Sequence, residues 1–221
     1  EGAGAILLAI RFVPQYGLSR GIFYSVFHAV SAFCNAGFDL MGHQQPYNSL
    51  SGYYDDWLVN LVIMSLIVMG GVGFIVWDDL SRNKLHVRKY LLQTKIVLIT
   101  TAVLVFGGGL AFYLLEKDNL MADMSISGKI LTSLFSSVTA RTAGFNTIDT
   151  GALTDGSKFL TIILMFIGGS PGSTAGGVKT TTIAVLLLYV YASIQRTYRV
   201  NIMGRRLEDD VIKQASSVFV I

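Results

Sequence analysis

Two apolar runs, each too short to cross a bilayer, end in the same tripeptide. Ile22 to Phe33 leads into Cys34-Asn-Ala-Gly-Phe-Asp39, and Ile130 to Val138 leads into Thr139-Ala-Arg-Thr-Ala-Gly-Phe-Asn-Thr147. Each Ala-Gly-Phe is followed by a small polar residue, a polar loop and a long apolar segment. A helix that enters a membrane part-way and returns through a glycine loop leaves backbone groups without helical partners. Such backbone is tolerated at membrane depth only where protein encloses it or it lines a water-filled cavity. Its free carbonyls can then replace the water around a cation. Aligning Gly37 with Gly144 gives an offset of 107 residues, under which Ala36 meets Ala143, Phe38 meets Phe145 and Asp39 meets Asn146. The expected filter carbonyls are those of Asn35, Ala36 and Gly37, and of Thr142, Ala143 and Gly144. The plainer reading makes Gly37 and Gly144 turn glycines. Two copies, each after a half-span and before a long apolar segment, favour the pore loop.

The other apolar runs fix the class. Trp57–Trp77 and Ile96–Leu115 carry no charge and have the length of about 20 residues that a bilayer core demands. Charged residues make up 14% of the chain and hydrophobic ones 52%, against about 25% charged in soluble domains. The expected fold is an all-α polytopic membrane protein. Gly4–Val13 reads as the last turns of a helix stopped by Pro14 and Gly17. Because the chain opens on Glu1 without Met and closes inside an apolar run, Ser216–Ile221, both ends read as cut through helices.

Charge supplies the orientation. Ten of the seventeen Lys and Arg residues fall in two stretches, Arg82, Lys84, Arg88, Lys89 and Lys95 in one, Arg196, Arg199, Arg205, Arg206 and Lys213 in the other. Asp39–Asp56 holds none. The positive-inside rule places both basic stretches in the cytoplasm, so the glycine loops enter from outside.

The second unusual stretch is Gly168-Gly169-Ser170-Pro171-Gly172-Ser173-Thr174-Ala175-Gly176-Gly177-Val178-Lys179, inside a third span. It approaches a phosphate-binding loop, but Val178 holds the lysine position, Lys179 comes one residue late, and apolar spans flank it where a soluble βαβ unit belongs. Proline and five glycines do not continue a helix. An unwound span on the cytoplasmic side of a filter reads as a gate, and a rigid kink is the alternative. Lys179 should face a wet cavity or snorkel to the inner surface. Arg141, beside the second loop, is expected to brace it against carboxylates behind the filter. Gly70-Gly-Val-Gly73 and Gly107-Gly-Gly109 suit close helix packing. His28, His43 and His86 lack metal-ligand spacing, and Cys34 is the sole cysteine. With no nucleophile–base pair, no carboxylate dyad and no basic–aromatic surface, neither an enzyme nor a nucleic-acid binder is supported. The competing transport class is an alternating-access carrier with its substrate at the unwound span.

Taken together, Cys34–Phe38, Thr139–Asp149 and Gly168–Thr182 resemble the Trk/Ktr/HKT superfamily of potassium transporters, and the wording of the last two is most similar to the bacterial Ktr-type membrane subunit. The resemblance covers nearly the whole chain. It implies repeated units of first helix (M1), pore helix, filter loop and second helix (M2) around a central pore. Residues 1–77 would be the second of four repeats, with pore helix 21–33, filter 34–38 and M2 57–77. A cytoplasmic loop, 78–94, follows. Residues 95–195 would be the third repeat, with M1 95–115, pore helix 127–138, filter 139–147 and broken M2 158–195. A second cytoplasmic loop, 196–213, and the start of a fourth repeat, 214–221, close the chain. The resemblance also implies K+ uptake, often Na+-dependent, by a homodimeric multi-pass subunit of the plasma membrane with a cytosolic nucleotide-binding regulatory ring.

Overall fold

A computed structural model of the chain describes residues 1–43, 48–84, 86–195, 201–202, 205–206 and 214–217. Its helices are α1 (Gly2–Tyr16), α2 (Leu18–Phe33), α3 (Trp57–Val72), α4 (Phe74–Asn83), α5 (Leu92–Glu116), α6 (Ile126–Ala140), α7 (Asp155–Phe166) and α8 (Thr180–Ile194). A two-residue antiparallel ladder pairs Asn201–Ile202 with Arg205–Arg206. Arg196, Arg199 and Lys213 of the second basic stretch lie outside the described residues, as do most of the residues expected to start a further unit.

The element order runs twice through one plan: a helix, a second helix of 15–16 residues, a glycine loop, and a helix that is interrupted. In α1 the helix does not stop at Pro14 but continues to Tyr16. Pro14 lacks the N–H that an interior helical residue donates, yet the helix runs on, and Gly17, at φ 79°, makes the actual break and opens α2. The half-helices α2 and α6 start slightly earlier than expected, and Ser125 caps α6 through its hydroxyl, which accepts from the Gly128 N–H at 3.0 Å.

Only α5, among the described residues, is long and apolar enough to cross a membrane alone, with 25 residues and a mean hydropathy of 2.1. Ile99, Val103, Phe106, Leu110 and Leu114 form an exposed apolar stripe along it, a face suited to lipid. Its other face packs closely. A Cβ on Gly108 would lie 2.4 Å from Ser137 Oγ, and one on Gly109 would lie 2.8 Å from Leu134 Cδ2. These glycines therefore serve helix packing, as expected.

The expected single span over Trp57–Trp77 is not straight. The helix ends at Val72, Gly73 turns at φ 96°, and α4 leaves at 95° to α3. The cause lies far off in sequence. The α3 carbonyls of Gly70 and Gly71 accept from Thr174 N–H (3.3 Å) and Ser170 N–H (2.9 Å), and Phe74 N–H donates to the Gly172 carbonyl at 3.0 Å. The glycine-rich loop thus satisfies the groups that a break exposes. At its other end α3 is capped by Asp56, whose carboxylate accepts from Leu58 and Val59 N–H groups and pairs with Arg11 at 2.9 Å. The core forms where α1, α2 and α3 meet α6. Leu8, Phe12, Ala29, Ile63, Leu131 and Phe135 are among its fully buried members.

Candidate functional site

The two Ala-Gly-Phe loops share a backbone. Positive φ occurs at Asn35 (50°) and Gly37 (72°) in the first and at Thr142 (65°) and Gly144 (90°) in the second, with Ala36 and Ala143 between them on the ordinary side. Asparagine tolerates this region, whereas a β-branched threonine there is a genuine outlier. Each half-helix also reaches forward to hold its loop. Ser31 Oγ donates to the Phe38 carbonyl at 2.7 Å, and Thr139 Oγ1 donates to the Phe145 carbonyl at 2.6 Å.

The loops meet at their glycines. A Cβ on Gly37 would fall 2.5 Å from the Ala143 carbonyl oxygen and 2.7 Å from Gly144 Cα; one on Gly144 would fall 3.0 Å from Gly37 Cα. Left-handed backbone disfavours a side chain at each position, and at Gly37 the space for one is also missing. Asn35, Ala36, Thr142, Ala143 and Gly144 line one cleft of ≈ 450 Å³ that extends to Thr161 and Met165 of α7. Gly37 is pressed against its counterpart. Thr147 lies on the same cleft, with a buried hydroxyl that has no hydrogen-bond partner. The equivalence of the loops ends at the phenylalanines, because Phe145 is fully buried whereas Phe38 is 70% exposed.

Behind the loops, His28 is fully buried. Its Nδ1 lies 2.7 Å from the Tyr24 carbonyl, and Leu40 N–H donates to Nε2 at 3.3 Å. An acceptor at Nε2 places the proton on Nδ1, so the ring is neutral. It sits against Phe12 and Phe145, with centroids at 5.6 and 6.3 Å. Through Nε2 it also anchors the exit of the first loop. The segment after the first loop clamps the second loop: Leu50 N–H donates to the Asn146 carbonyl, and Asn146 N–H donates to Ser49 Oγ.

The glycine-rich stretch joins all of this together. Its base closes on itself through Gly168 N–H to the Val178 carbonyl (3.1 Å), Val178 N–H to Phe166 (2.9 Å) and Gly169 N–H to Gly176 (3.1 Å). Glycine is required where the two sides cross, since a Cβ on Gly168 would lie 1.7 Å from the Gly176 oxygen. From this base the loop reaches both Ala-Gly-Phe loops. Thr174 Oγ1 donates to the Phe33 carbonyl at 2.9 Å and accepts from Asn35 Nδ2 at 2.8 Å, while Gly176 N–H donates to Thr142 Oγ1 at 3.0 Å. Among the described residues Lys179 pairs with no carboxylate. Its Nζ donates to the Ala175 carbonyl at 2.9 Å.

Arg141 corrects an expectation. It is buried, and its Nη2 donates to the Gly168 carbonyl at 3.3 Å. Among the described residues it forms no ion pair with a carboxylate. The brace is the glycine-rich loop itself. Glu116, not singled out from sequence, is fully buried at the end of α5. It accepts from Asn119 Nδ2, Thr154 N–H and Thr154 Oγ1 at 2.7–2.9 Å, tying α5 to the start of α7.

Comparison with known proteins fits this geometry. The potassium/sodium uptake protein NtpJ of Enterococcus hirae is 39% identical over 219 residues, which are 99% of this chain and 47% of that protein. The Ktr system potassium uptake protein B of Bacillus subtilis is 41% identical over 222 residues, 100% of this chain and 48% of the relative. The crystal structure of the potassium transporter TrkH from Vibrio parahaemolyticus superposes with a TM-score of 0.77 at 22% identity, over 99% of this chain and 46% of that one. That match shows the all-helical fold. The chain spans about half the length of the curated relatives it matches, and these relatives are transporters, not enzymes. A family model described as a cation transport protein, TrkH, matches residues 3–221, and the chain belongs to that family of membrane transporters.

Proposed function

We propose that the chain forms part of a potassium-uptake pore, with residues 34–38 and 139–147 as two loops of a carbonyl filter and Gly168–Lys179 as the gate. The observation that carries this reading is the repeated backbone of Asn35-Ala36-Gly37 and Thr142-Ala143-Gly144, meeting glycine to glycine. An extended strand turns successive carbonyls to opposite sides. Alternating the sign of φ brings neighbouring carbonyls toward one side, as a desolvated cation needs. The half-helices α2 and α6 aim their partly negative C-terminal ends at the same place.

Potassium is the ion named for the relatives above, and NtpJ adds sodium, which supports Na+ as a second ion here. Residues 1–77 and 95–195 are then two pore units of a longer subunit, and the exposed Phe38 offers a surface to a neighbouring unit. The "system" in the relative's name supports action with other components. We assign these as a second copy of the full-length subunit and a cytosolic nucleotide-binding ring at the basic, cytoplasmic face of the plasma membrane.

Gly144→Ser in the full-length protein is the test. A left-handed conformation costs a residue with a Cβ about 1–2 kcal/mol, and about 1.4 kcal/mol is one decade. Discrimination of K+ over Na+ should therefore fall about tenfold, measured as ion flux in a transport-deficient host with membrane abundance checked. Unchanged selectivity at normal flux removes Gly144 from the filter.

A further inference from the structure

The non-glycine residues of the two filter loops with positive φ, Asn35 and Thr142, occupy equivalent positions. Both are held through their side chains, and in both cases the partner is the gate loop. Asn35 Nδ2 donates to Thr174 Oγ1 at 2.8 Å, and Thr142 Oγ1 accepts from Gly176 N–H at 3.0 Å. The Thr174 hydroxyl also donates to the Phe33 carbonyl at 2.9 Å, at the end of the half-helix that leads into the first filter loop. A Cβ on Gly70 would lie 1.8 Å from that carbonyl and 2.8 Å from Thr174 Oγ1, so the three groups are wedged together. Asn35 and Thr142 side chains also border the filter cleft.

We infer that Thr174 is a positioning residue for ion selectivity: its hydroxyl, with the Gly176 N–H, fixes the shape of both filter loops, so the gate loop sets filter geometry as well as blocking the path. This rests on the assignment of residues 34–38 and 139–147 as filter loops. When the gate loop leaves, Asn35 and Thr142 lose the partners that offset their unfavourable conformations, and the filter relaxes. A withdrawn gate then carries a filter that grips K+ less tightly. By linkage, K+ held in the filter favours the seated loop.

The experiment compares Thr174→Val and Thr174→Ser in the full-length transporter, reconstituted in liposomes. The readouts are the KM for K+, the maximal flux and the K+/Na+ preference. Valine keeps the shape and removes both hydroxyl bonds, while serine retains them. A neutral hydrogen bond is worth about 0.5–1.5 kcal/mol, so Thr174→Val should raise KM and reduce the preference for K+ about three- to tenfold. Thr174→Ser should return both to within about twofold of the parent. Thr174→Ala, run in parallel, removes the same bonds without a branched side chain and carries the test if the valine protein does not accumulate. A change in maximal flux alone, with KM and preference as in the parent, overturns the inference and leaves Thr174 as a gate contact. Serine behaving like valine also overturns it, because packing and not the hydroxyl would then be responsible. Altered selectivity in Gly144→Ser beside unaltered selectivity in Thr174→Val would reject the coupling and keep the filter.

Discussion

Deleting Gly172–Gly177 should leave a pore that no longer needs its regulator. The chain can still close, because Gly168 N–H and the Val178 carbonyl already face each other across the base of the loop at 3.1 Å. The deletion removes the five hydrogen bonds that tie these residues to groups outside the glycine-rich stretch: Phe74 N–H to Gly172, Thr174 N–H to Gly70, Thr174 to Phe33, Asn35 to Thr174, and Gly176 to Thr142. At about 1 kcal/mol net each, the seated state loses about 5 kcal/mol. An open state populated at about 0.1–10% lies only about 1.4–4 kcal/mol above the closed one. The loss exceeds that gap, so the open state becomes dominant and flux saturates. K+ flux without the nucleotide-binding partner should rise about 10- to 1,000-fold, and adding the partner should change it less than about twofold. Flux into liposomes containing full-length protein, with and without partner, measures both quantities. A deletion variant that folds yet matches the parent in flux and partner dependence refutes the gate and leaves a rigid kink. The sequence suggests that selectivity survives this deletion, since no filter residue is touched. The structure argues otherwise, because Thr174 goes with the loop. A large rise in flux with intact selectivity would keep the gate and remove the coupling.

Two further outcomes are expected. In a Cys34-free protein, single cysteines at Gly52 and Ser81 should label from opposite sides of the membrane; both are exposed, and a Cβ on Gly52 meets nothing within 4 Å, whereas Ser49 in the same outer segment is buried. Labelling from one side would refute the orientation given by the basic stretches. Gly70→Ala should abolish K+ flux by at least about tenfold while the protein still reaches the membrane, because the new methyl would sit 1.8 Å from the Phe33 carbonyl and backbone there cannot yield cheaply; normal flux would show that the end of α2 can shift without harm to the filter.

The two glycine loops were legible because two independent signals coincide at each: an apolar run of the wrong length for a span, and a glycine where it stops. The bend at Gly73 was not legible. Trp57–Trp77 has the same hydropathy straight or bent, and what decides is Phe74 N–H meeting the Gly172 carbonyl about a hundred residues away. Pro14 misled for the opposite reason, since a local rule about proline lost to a helix that tolerates one missing bond. The position of Arg141 beside the second loop suggested carboxylates behind it, because a positive charge facing a cation path would repel the cations. The unwound stretch supplies a carbonyl instead, a partner that composition cannot reveal because every residue has one.

The contact between Gly37 and Gly144 also bears on how such a chain can diverge. Here the clearance is shared: a side chain added in either loop strikes the backbone of the other, at 2.5 Å from the Ala143 oxygen or 3.0 Å from Gly37 Cα. A change in one copy cannot be absorbed by a smaller residue in the other, because no residue is smaller than the glycine already there. The two loops are thereby each held to glycine at this point by the other's backbone, whatever the helices around them do.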